Sequence, residues 1–335
     1  MILHNKPTIG KKEQQAASRV LESGYISQGV EVEKFENEFC DFLGIPFGHA
    51  VALSSGTSAL FMALWSLNAK NESIAMPVYV CSSLRNAVAM SNAKEVLVDN
   101  ADDSPNICLN KLQKTNARIA IVPHMFGLPN QVKTIKDIDI IEDCAQSLGA
   151  MIDGIKTGLL GKASIFSFYA TKLITSGGQG GMFVSKNKNL VDKVKDYREF
   201  DCRRDQNNRF NFQMSDLQAS IGRSQLKQLP FFLERRQEIF AIYKKSGLDL
   251  IESKNNSPAH FRAVIRINNP KKIKEKLLEQ DIKTIIPIED WQLLGNGPNF
   301  KNAYNLTQKT LSLPIYPSLT NKEVSIIINQ LNKLI

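Results

Sequence analysis

Helical and strand-like patterns alternate along the first two-thirds of the chain, and this alternation restricts the folds that are open to it. Helical patterns occupy residues 11–22, 32–43 and 59–67, and the first two stop at Gly24 and Gly44. Short apolar runs typical of strands recur at 49–53, 73–76, 95–98, 117–123, 139–141, 165–168 and 181–184. Strands joined through helices pair in parallel, so we predict an α/β fold with a mainly parallel sheet covered by helices.

The pattern changes from about residue 231 onwards. A charged helical segment at 233–245 leads into a strand-like run at 261–267, and a lysine-rich helix follows at 270–280. A further strand-like run at 282–286 and a helix at 321–334 come next. We therefore predict a large domain over residues 1–230 and a small C-terminal α+β domain over residues 231–335.

Composition favours a globular enzyme in the cytoplasm. Of the 335 residues, 43% are hydrophobic and 22% are charged, which is ordinary for a soluble protein. No apolar run approaches the roughly 20 residues that a membrane helix needs, and the first residues lack the apolar stretch of a signal peptide. We expect a cytoplasmic protein without a membrane partner.

The five cysteines are scattered along the chain, and none belongs to a CxxC pair. This pattern predicts free thiols rather than a disulfide framework or a metal site.

The net charge of +9 raises the question of a polyanionic partner. The basic residues are dispersed apart from two lysine clusters, at 186–195 and 271–276. Such clusters on polar helices are typical of solvated faces, so we expect no nucleic-acid partner. A basic surface does suit a small substrate that carries phosphate, because it attracts such a substrate from solution.

The first segment with chemical potential is SSGTSAL at residues 54–60, between a predicted strand and a predicted helix. A helix N-terminus offers unpaired N–H groups, and a glycine lets an anion approach the backbone. The hydroxyls of Thr57 and Ser58 add donors for a phosphate. An ordinary helix cap explains the same residues equally well when the segment is taken alone.

The second segment is IIEDCAQS at residues 140–147, where an apolar strand ends in carboxylates. Sheets of this class bind ligands beyond the carboxyl ends of their strands. Asp143 at that place would keep a ring nitrogen protonated, because a nearby negative charge favours the cation. A helix cap or a surface ion pair is the alternative interpretation.

The third segment is IFSFYATK at residues 165–172, followed by GGQGG at 177–181. A lysine just after a buried strand is placed where desolvation lowers its pKa and makes the amine nucleophilic. Taken alone, Lys172 would be interpreted as a solvated surface lysine, because a lone lysine is nearly always one. Together, however, the three segments supply a phosphate cup, a carboxylate for a pyridinium nitrogen and an amine for an aldehyde. Pyridoxal phosphate needs all three.

At these residues the chain resembles the DegT/DnrJ/EryC1/StrS family of sugar aminotransferases, which have the aspartate-aminotransferase (type I) fold. The matching segments follow one another in the family's order over most of the chain: 22–29, 35–36, 55–60, 142–146, 166–172, 177–181, 210–219 and 313–317. The resemblance implies a pyridoxal-phosphate-dependent enzyme, and it implies a role for each of several residues.

By this resemblance, Lys172 is the Schiff-base lysine and Asp143 the partner of the cofactor's ring nitrogen. Gln146 lies beside the phenolic oxygen, and Asn211 reaches the phosphate from the neighbouring subunit, which implies a homodimer with shared active sites. The residues that form the phosphate cup are Gly56, Thr57, Ser58 and Ser167.

The sequence departs from the family at two places in the site. The family's Asn-Tyr-Arg-Met is Asn211-Phe212-Gln213-Met214 here, so the contact of the family's arginine is in question. An aromatic residue usually stacks on the cofactor ring from the strand after Pro77. Cys81 falls at that place with Tyr79 two residues earlier. Three alternatives are open: Tyr79 stacks on the ring, the sulfur of Cys81 covers it, or the stacking contact is absent.

The resemblance implies transfer of an amino group from L-glutamate to a nucleotide-linked keto-sugar, for the synthesis of an amino sugar in a surface polysaccharide, such as lipopolysaccharide, or in a glycan. Two alternatives stay open at this point. One is a sugar dehydratase or lyase on the same fold, although the family's dehydratases carry histidine where this chain has Lys172. The other is a non-catalytic regulator that binds the cofactor.

Overall fold

The computed structural model describes residues 1–253 and 256–335. The α-helices in these ranges are α1 Lys11–Ser23, α2 Val30–Leu43, α3 Gly56–Ser66, α4 Ser83–Met90, α5 Leu109–Leu112, α6 Lys188–Arg198, α7 Asp216–Lys245, α8 Pro270–Leu278, α9 Lys301–Lys309 and α10 Asn321–Asn332. The strands are β1 Ala50–Leu53, β2 Ser73–Pro77, β3 Lys94–Val98, β4 Ile119–Pro123, β5 Asp139–Asp143, β6 Met151–Ile152, β7 Ile155–Lys156, β8 Ala163–Ser167, β9 Gly181–Val184, β10 Ala263–Arg266 and β11 Thr310–Leu313.

The main sheet contains seven strands in the order β1-β9-β8-β5-β4-β2-β3. Every strand pair from β8 to β3 is parallel, and only β9 runs against both of its neighbours. The prediction of a mainly parallel sheet is confirmed. Because β1 and β8 both run opposite to β9, the carboxyl ends of six strands meet at one edge of the sheet.

Side chains alternate between the two faces of this sheet, and apolar layers cover both faces. In β1, Val51 and Leu53 belong to a core with helix α3, whereas Ala50 and Ala52 belong to a core with helices α2 and α7. All four side chains are fully buried. A strand that is buried on both faces reads as a continuous apolar run, which is why the sequence pattern located these strands.

The residues after 231 form a separate core together with the end of α7. The antiparallel pair β10–β11 packs with helices α8 and α10 around it. Residues 231–335 also contribute Val264, Ile288 and Leu306 to the core beside α3. The boundary at residue 230 falls inside the 30-residue helix α7, and the division into two domains stays a prediction.

Most of the predicted elements are confirmed within one to three residues, including the stops at Gly24 and Gly44. The predicted strand at 282–286 is wrong: Ile282 and Ile285 make isolated bridges to Ile2 and Ser312. Sequence reasoning did not identify α4, α9 and β11, or the first half of α7. No helix in the described part of the chain combines the length and the apolar character that crossing a bilayer requires.

Candidate active site

A cavity of about 200 Å³ opens at the edge where the parallel strands end. We call it the Lys172 cavity, after the lysine that lines it together with Gly56, Thr57, Asp143, Gln146 and Ser167. Strands β5 and β8 deliver Asp143 and Ser167 as their last residues, and the N-terminus of α3 lies beside them. Sheets of this class bind ligands at this edge, so the location agrees with the chemistry of its residues.

Helix α3 presents its N-terminus to the Lys172 cavity. Ser55 is the N-cap residue, and its Oγ accepts the N–H of Ser58 at 3.0 Å. The amides of Gly56 and Thr57 come before that capped N–H, and the first amides of a helix have no intrahelical acceptor. These two amides and the Thr57 hydroxyl therefore form an anion-binding corner.

Two glycines make this corner possible through close backbone packing. A Cβ on Gly56 would lie 2.8 Å from the Cβ of Ser167, and a Cβ on Gly181 would lie 2.2 Å from the carbonyl oxygen of Ser55. Both contacts are too short for any larger residue. The glycine-rich turn at 177–181 thus brings strand β9 against the start of α3, while Ser167 lies beside Gly56.

The Ser58 side chain has a different role from the one that sequence reasoning gave it. Its Oγ donates to the Ser55 carbonyl at 2.7 Å and accepts the Ser55 N–H at 2.9 Å. Ser58 is 4% exposed and does not line the cavity. The ordinary capping interpretation is correct for Ser58, and the phosphate role remains a prediction for Gly56, Thr57 and Ser167.

Asp143 is buried and has one carboxylate oxygen bonded, since Oδ1 accepts the N–H of Ala145 at 3.0 Å. Burial raises the pKa of this carboxyl above its usual range, and the Ala145 N–H and the charge of Lys172 offset part of the rise. Within the described residues, Oδ2 has no hydrogen-bond partner. A buried carboxylate that faces a cavity in this state is suited to a cationic N–H of a ligand.

The preceding residue, Glu142, lies on the other side of strand β5 and is saturated by hydrogen bonds. Its oxygens accept the N–H groups of Gly158, Leu160 and Gly161 at 2.7–2.9 Å and pair with His124 Nε2 at 3.0 Å. His124 Nδ1 accepts the Asn130 N–H at 2.9 Å. That nitrogen therefore carries no proton, and Nε2–H donates to Glu142.

Cys144 brings a thiol within 4.8 Å of the ligand atoms of His124 and Glu142, which makes a possible set of metal donors. However, every lone pair that Glu142 could give to an ion already accepts an N–H. Burial also raises the pKa of the Cys144 thiol far above its ordinary value, which disfavours the thiolate that binds metals. These groups are therefore a structural support behind the cavity.

Lys172 follows β8 and the short turn at 169–171, and its side chain is partly buried. Burial lowers the pKa of the amine, whereas the charges of Asp143 and Cys81 raise it, and the charge of Arg262 lowers it further. The net shift is downward. More of the amine is therefore neutral at a given pH than for an exposed lysine, and the neutral form is the nucleophile.

The side-chain amide of Gln146 is held through its oxygen, which leaves its nitrogen for the cavity. Its Oε1 accepts the N–H of Phe126 at 2.8 Å, and its Nε2 lies 3.9 Å from Met125 Sδ. Phe126 has a φ of 62°, which a bulky residue rarely adopts and which points to a constrained site. Since Oε1 is occupied, Gln146 presents an N–H donor to an acceptor in the cavity.

Cys81 and Tyr79, the two candidates for covering the cofactor ring, lie in different surroundings. Cys81 is exposed and lines the cavity, with Sγ 2.7 Å from Ser83 Oγ. Tyr79 is fully buried, does not line the cavity and packs edge-on against Phe126. Direct stacking by Tyr79 therefore disagrees with its position, and Cys81 is the residue that faces the ligand space.

Asn211 and Gln213 lie outside the Lys172 cavity. Asn211 is exposed, and its Oδ1 accepts the N–H of Gln213 at 3.0 Å. A contact from Asn211 to a phosphate in the neighbouring subunit remains a prediction.

Several residues line the cavity that sequence reasoning did not assign, namely Ser55, His124, Met125, Tyr169 and Gln179. Ser55, Tyr169 and Gln179 belong to the segments already singled out, so a closer look at the neighbours of Gly56 and Lys172 would have found them. His124 and Met125 follow strand β4 at the same sheet edge. The rule that ligands bind beyond the carboxyl ends of strands is the signal that points to them.

Comparison with known proteins agrees with this site. The chain matches the DegT/DnrJ/EryC1/StrS aminotransferase family over residues 7–332. It is 26% identical to GDP-perosamine synthase of Escherichia coli O157:H7, with 98% of this chain and 97% of that protein aligned. It is 28% identical to dTDP-3-amino-3,6-dideoxy-alpha-D-galactopyranose transaminase of Aneurinibacillus thermoaerophilus, with coverages of 96% and 95%.

Solved structures agree on the fold. The aminotransferase TlmJ from Streptoalloteichus hindustanus superposes with a TM-score of 0.92 at 23% identity, covering 99% of this chain and 98% of that chain. The seven-stranded, mainly parallel sheet is thus that of the type I aminotransferases. On the family match over nearly its whole length, this chain belongs to the DegT/DnrJ/EryC1/StrS aminotransferase family and is an aminotransferase.

Proposed function

We propose that the enzyme transfers an amino group from L-glutamate to a nucleotide-linked keto-sugar, with pyridoxal phosphate bound in the Lys172 cavity. One observation carries the proposal. An amine of lowered pKa and a buried carboxylate with an unused oxygen line the same cavity as Gly56 and Thr57, the first two residues of helix α3, whose amides have no acceptor within the helix. These groups match the aldehyde, the ring nitrogen and the phosphate of this cofactor.

The residues of the cavity fit each polar group of pyridoxal phosphate. The amides of Gly56 and Thr57, with the hydroxyls of Thr57 and Ser167, would hold the phosphate. Lys172 Nζ would bind the aldehyde carbon, and Asp143 would bind the protonated ring nitrogen. Gln146 Nε2 is the donor for the phenolic oxygen. When bound, the cofactor supplies an electron sink for the carbanion that forms as the donor loses its α-proton.

The protein's own part in the reaction is to move that proton and to hold charge. We assign Lys172 Nζ to the removal of the α-proton from the donor, since its lowered pKa increases the fraction of neutral amine that can accept a proton. Asp143 would hold a positive charge on the ring nitrogen of the bound cofactor through its own negative charge.

The class of acceptor is proposed from the relatives. Two of them are named for a GDP-linked and a dTDP-linked sugar, so a sugar nucleotide is the shared substrate class, and the nucleotide is left open. The net charge of +9 suits a substrate that carries a diphosphate.

We also propose a homodimer in which Asn211 completes the partner's site. The exposed position of Asn211, away from the cavity of its own chain, supports this arrangement. Mixing the inactive variants Lys172→Ala and Asn211→Ala tests it, because a mixed dimer would contain one site with both residues intact. Recovery of activity on mixing supports sharing, and a mixture as inactive as its components contradicts it.

The absorption spectrum of the purified protein tests the cofactor and the donor. With pyridoxal phosphate, the wild type should show the visible band of a lysine-bound cofactor, and L-glutamate should remove it as the pyridoxamine form accumulates. Lys172→Ala should give no such band and no turnover. Lys162→Ala, which removes a lysine from an exposed ion pair with Asp139, serves as the matched control and should behave as the wild type.

Each outcome is decisive for one part of the proposal. No band in the wild type contradicts the cofactor assignment. A band that L-glutamate leaves unchanged contradicts the donor and favours an elimination on the same fold. Near-normal turnover by Lys172→Ala contradicts the role of the lysine.

A further inference from the structure

Arg262 is a partly buried cation whose guanidinium lies over the ring of Phe261. It directly precedes strand β10, and burial lowers its pKa to about 10. Its guanidinium makes no hydrogen bond and no ion pair with any residue in the ranges 1–253 and 256–335. Charged groups in such surroundings are normally paired, because desolvation is costly.

A second buried arginine nearby shows what a structural guanidinium looks like in this protein. Arg236 is 1% exposed, and its Nη1 donates to the carbonyl oxygens of His260, Phe261 and Ile315 at 3.0–3.3 Å. Those bonds join helix α7 to the two segments that flank it. Arg262 makes no comparable bonds, so a structural role does not explain its position.

Arg262 and Lys172 lie against the same aromatic ring and interact electrostatically. The Lys172 Nζ and the Arg262 Cζ are each 5.4 Å from the centroid of the Phe261 ring, and the charge of Arg262 lowers the pKa of the lysine. The Arg262 backbone N–H donates to the Phe126 carbonyl at 3.3 Å, and Phe126 in turn holds Gln146. The backbone of Arg262 is therefore fixed to the same turn that positions a residue of the cavity.

The other polar groups around Arg262 supply no negative charge. The Tyr79 hydroxyl is fully buried, and burial raises its pKa well above the usual range, so it carries no negative charge at neutral pH. His4 bonds to Ser312 Oγ at 2.9 Å, and burial lowers its pKa to about 3, so it is neutral at neutral pH. Neither group therefore neutralises the Arg262 cation.

We propose that Arg262 binds the α-carboxylate of the amino donor. The proposal rests on the proposed function, because the donor must be an α-amino acid. Its α-carboxylate is attached to the carbon from which Lys172 Nζ removes the proton, so the carboxylate must lie beside that amine. A guanidinium matches a carboxylate through two parallel N–H bonds. The keto-sugar has no carboxylate on its reacting carbon, so this contact belongs to the donor half of the reaction.

Donor preference is the first test. L-Glutamate and 4-aminobutyrate differ by the α-carboxylate alone, so the ratio of their kcat/KM values measures what that group contributes. In Arg262→Gln we expect the KM for L-glutamate to rise roughly 10- to 100-fold, as for the loss of a charge-assisted pair. The preference over 4-aminobutyrate should fall by a similar factor. Arg262→Lys should retain part of the preference.

Arg266→Gln is the matched control, because Arg266 is the last residue of strand β10, which directly follows Arg262, and pairs with Asp249 at the surface. It should keep the wild-type donor preference. A purely structural role for Arg262 would lower the rates with both donors alike and leave their ratio unchanged.

The pKa of Lys172 in the cofactor-free protein gives a readout that does not depend on activity. It is measured from the pH dependence of reductive methylation of Lys172, followed by mass spectrometry. The ionisable groups that act on the amine are Asp143 on β5, Cys81 in the segment after β2 and Arg262 directly before β10. Because the cation of Arg262 lowers this pKa, Arg262→Gln should raise it. Glutarate, used as a carboxylate probe, should raise it in the wild type and have no effect in Arg262→Gln.

The two experiments separate the possible failures. If the wild type does not convert L-glutamate, the proposed donor is wrong, and the glutarate experiment still tests whether Arg262 binds a carboxylate. If the wild type converts L-glutamate while Arg262→Gln keeps its donor preference and its Lys172 pKa, the inference about Arg262 is wrong and the proposed function stands.

Discussion

Glu142 and Asp143 are neighbours on strand β5, both are buried, and their surroundings differ in every other respect. On one side of the strand, Glu142 accepts three backbone N–H groups and pairs with His124. On the other side, Asp143 faces the Lys172 cavity with one of its oxygens bonded. Burial tends to raise both pKa values, but the hydrogen bonds to Glu142 outweigh it and lower the pKa of Glu142. The pKa of Asp143 stays raised.

The difference teaches how a buried carboxylate is assigned to structure or to chemistry. A carboxylate whose hydrogen bonds all come from the protein stabilises the fold. One that is left with an unused oxygen at a cavity costs stability, and a ligand must supply what is missing. The same reasoning separates Arg236 from Arg262. Substitutions on the two sides of β5 should therefore act on different quantities.

Asp143→Asn should have the largest effect, and it should act on activity. We expect the rate of amino transfer to fall about 10²- to 10³-fold, because the charge that supports the ring nitrogen is lost. The free energy of unfolding of the cofactor-free protein should stay the same or rise, since a poorly compensated buried charge is removed. Steady-state kinetics and urea denaturation measure the two quantities. A large loss of stability with normal turnover would reverse our assignment.

Glu142→Gln should act on stability instead. The NH2 group of the new glutamine would face N–H donors that a carboxylate oxygen accepts in the wild type, so these donors would lose their acceptor. We therefore expect the free energy of unfolding to fall by roughly 3 kcal/mol. Asp139→Asn is the control at the start of the same strand. Asp139 pairs with Lys162 in a solvent-exposed position, so its loss should change stability by less than about 1 kcal/mol. Equal effects of the two substitutions would mean that the buried bonds contribute little.

The pH dependence of stability should have opposite signs for the two carboxylates. The pKa of Glu142 is lower in the folded protein, so its contribution is present above the unfolded value of about 4 and is lost as the pH falls further. The pKa of Asp143 is raised, so its cost appears as the pH rises above about 4. Denaturation curves from pH 3 to 7 measure both effects. The difference in the free energy of unfolding between the wild type and Glu142→Gln should shrink as the pH falls. The free energy of unfolding of Asp143→Asn should rise relative to that of the wild type as the pH rises.

The same contrast should recur on a smaller scale at the start of α3. Ser58→Ala removes a hydroxyl whose hydrogen bonds are all internal and should lower the free energy of unfolding by about 1 kcal/mol. Thr57→Val removes a hydroxyl that faces the cavity and makes no side-chain bond within the described structure. It should leave stability nearly unchanged and weaken pyridoxal phosphate binding roughly 5- to 10-fold. Denaturation and a fluorescence titration with the cofactor would measure these effects.

The sequence was informative wherever a local pattern decides the structure. The continuous apolar strands and the stops at Gly24 and Gly44 predicted the parallel sheet and its first helices. The motifs around Gly56, Asp143 and Lys172 predicted which segments meet at the sheet edge, because parallel strands end on the same side. The run at 282–286 has strand composition, but its partners Ile2 and Ser312 lie far away in the chain, so no local pattern could show that it makes single bridges.

Long-range contacts decided what each side chain does. Ser58 and Thr57 read alike in the sequence, and only the bonds to Ser55 show that one is a cap and the other faces the cavity. The sequence places Tyr79 and Cys81 two residues apart, and the packing of Phe126 decides that Tyr79 is buried while Cys81 lines the site. Arg262 belongs to no motif that we recognised, and its place beside Lys172 arises when strand β10 packs against the turn at 125–127.

The sequence by itself determined the class of fold, the family and the three segments that carry the chemistry, because periodicity and short motifs are properties of neighbouring residues. The tertiary structure alone decided which buried charges are satisfied and which are left for a ligand. That distinction depends on partners from distant parts of the chain and on the loss of water around them, and Glu142 and Asp143, adjacent in the sequence, are told apart by nothing else.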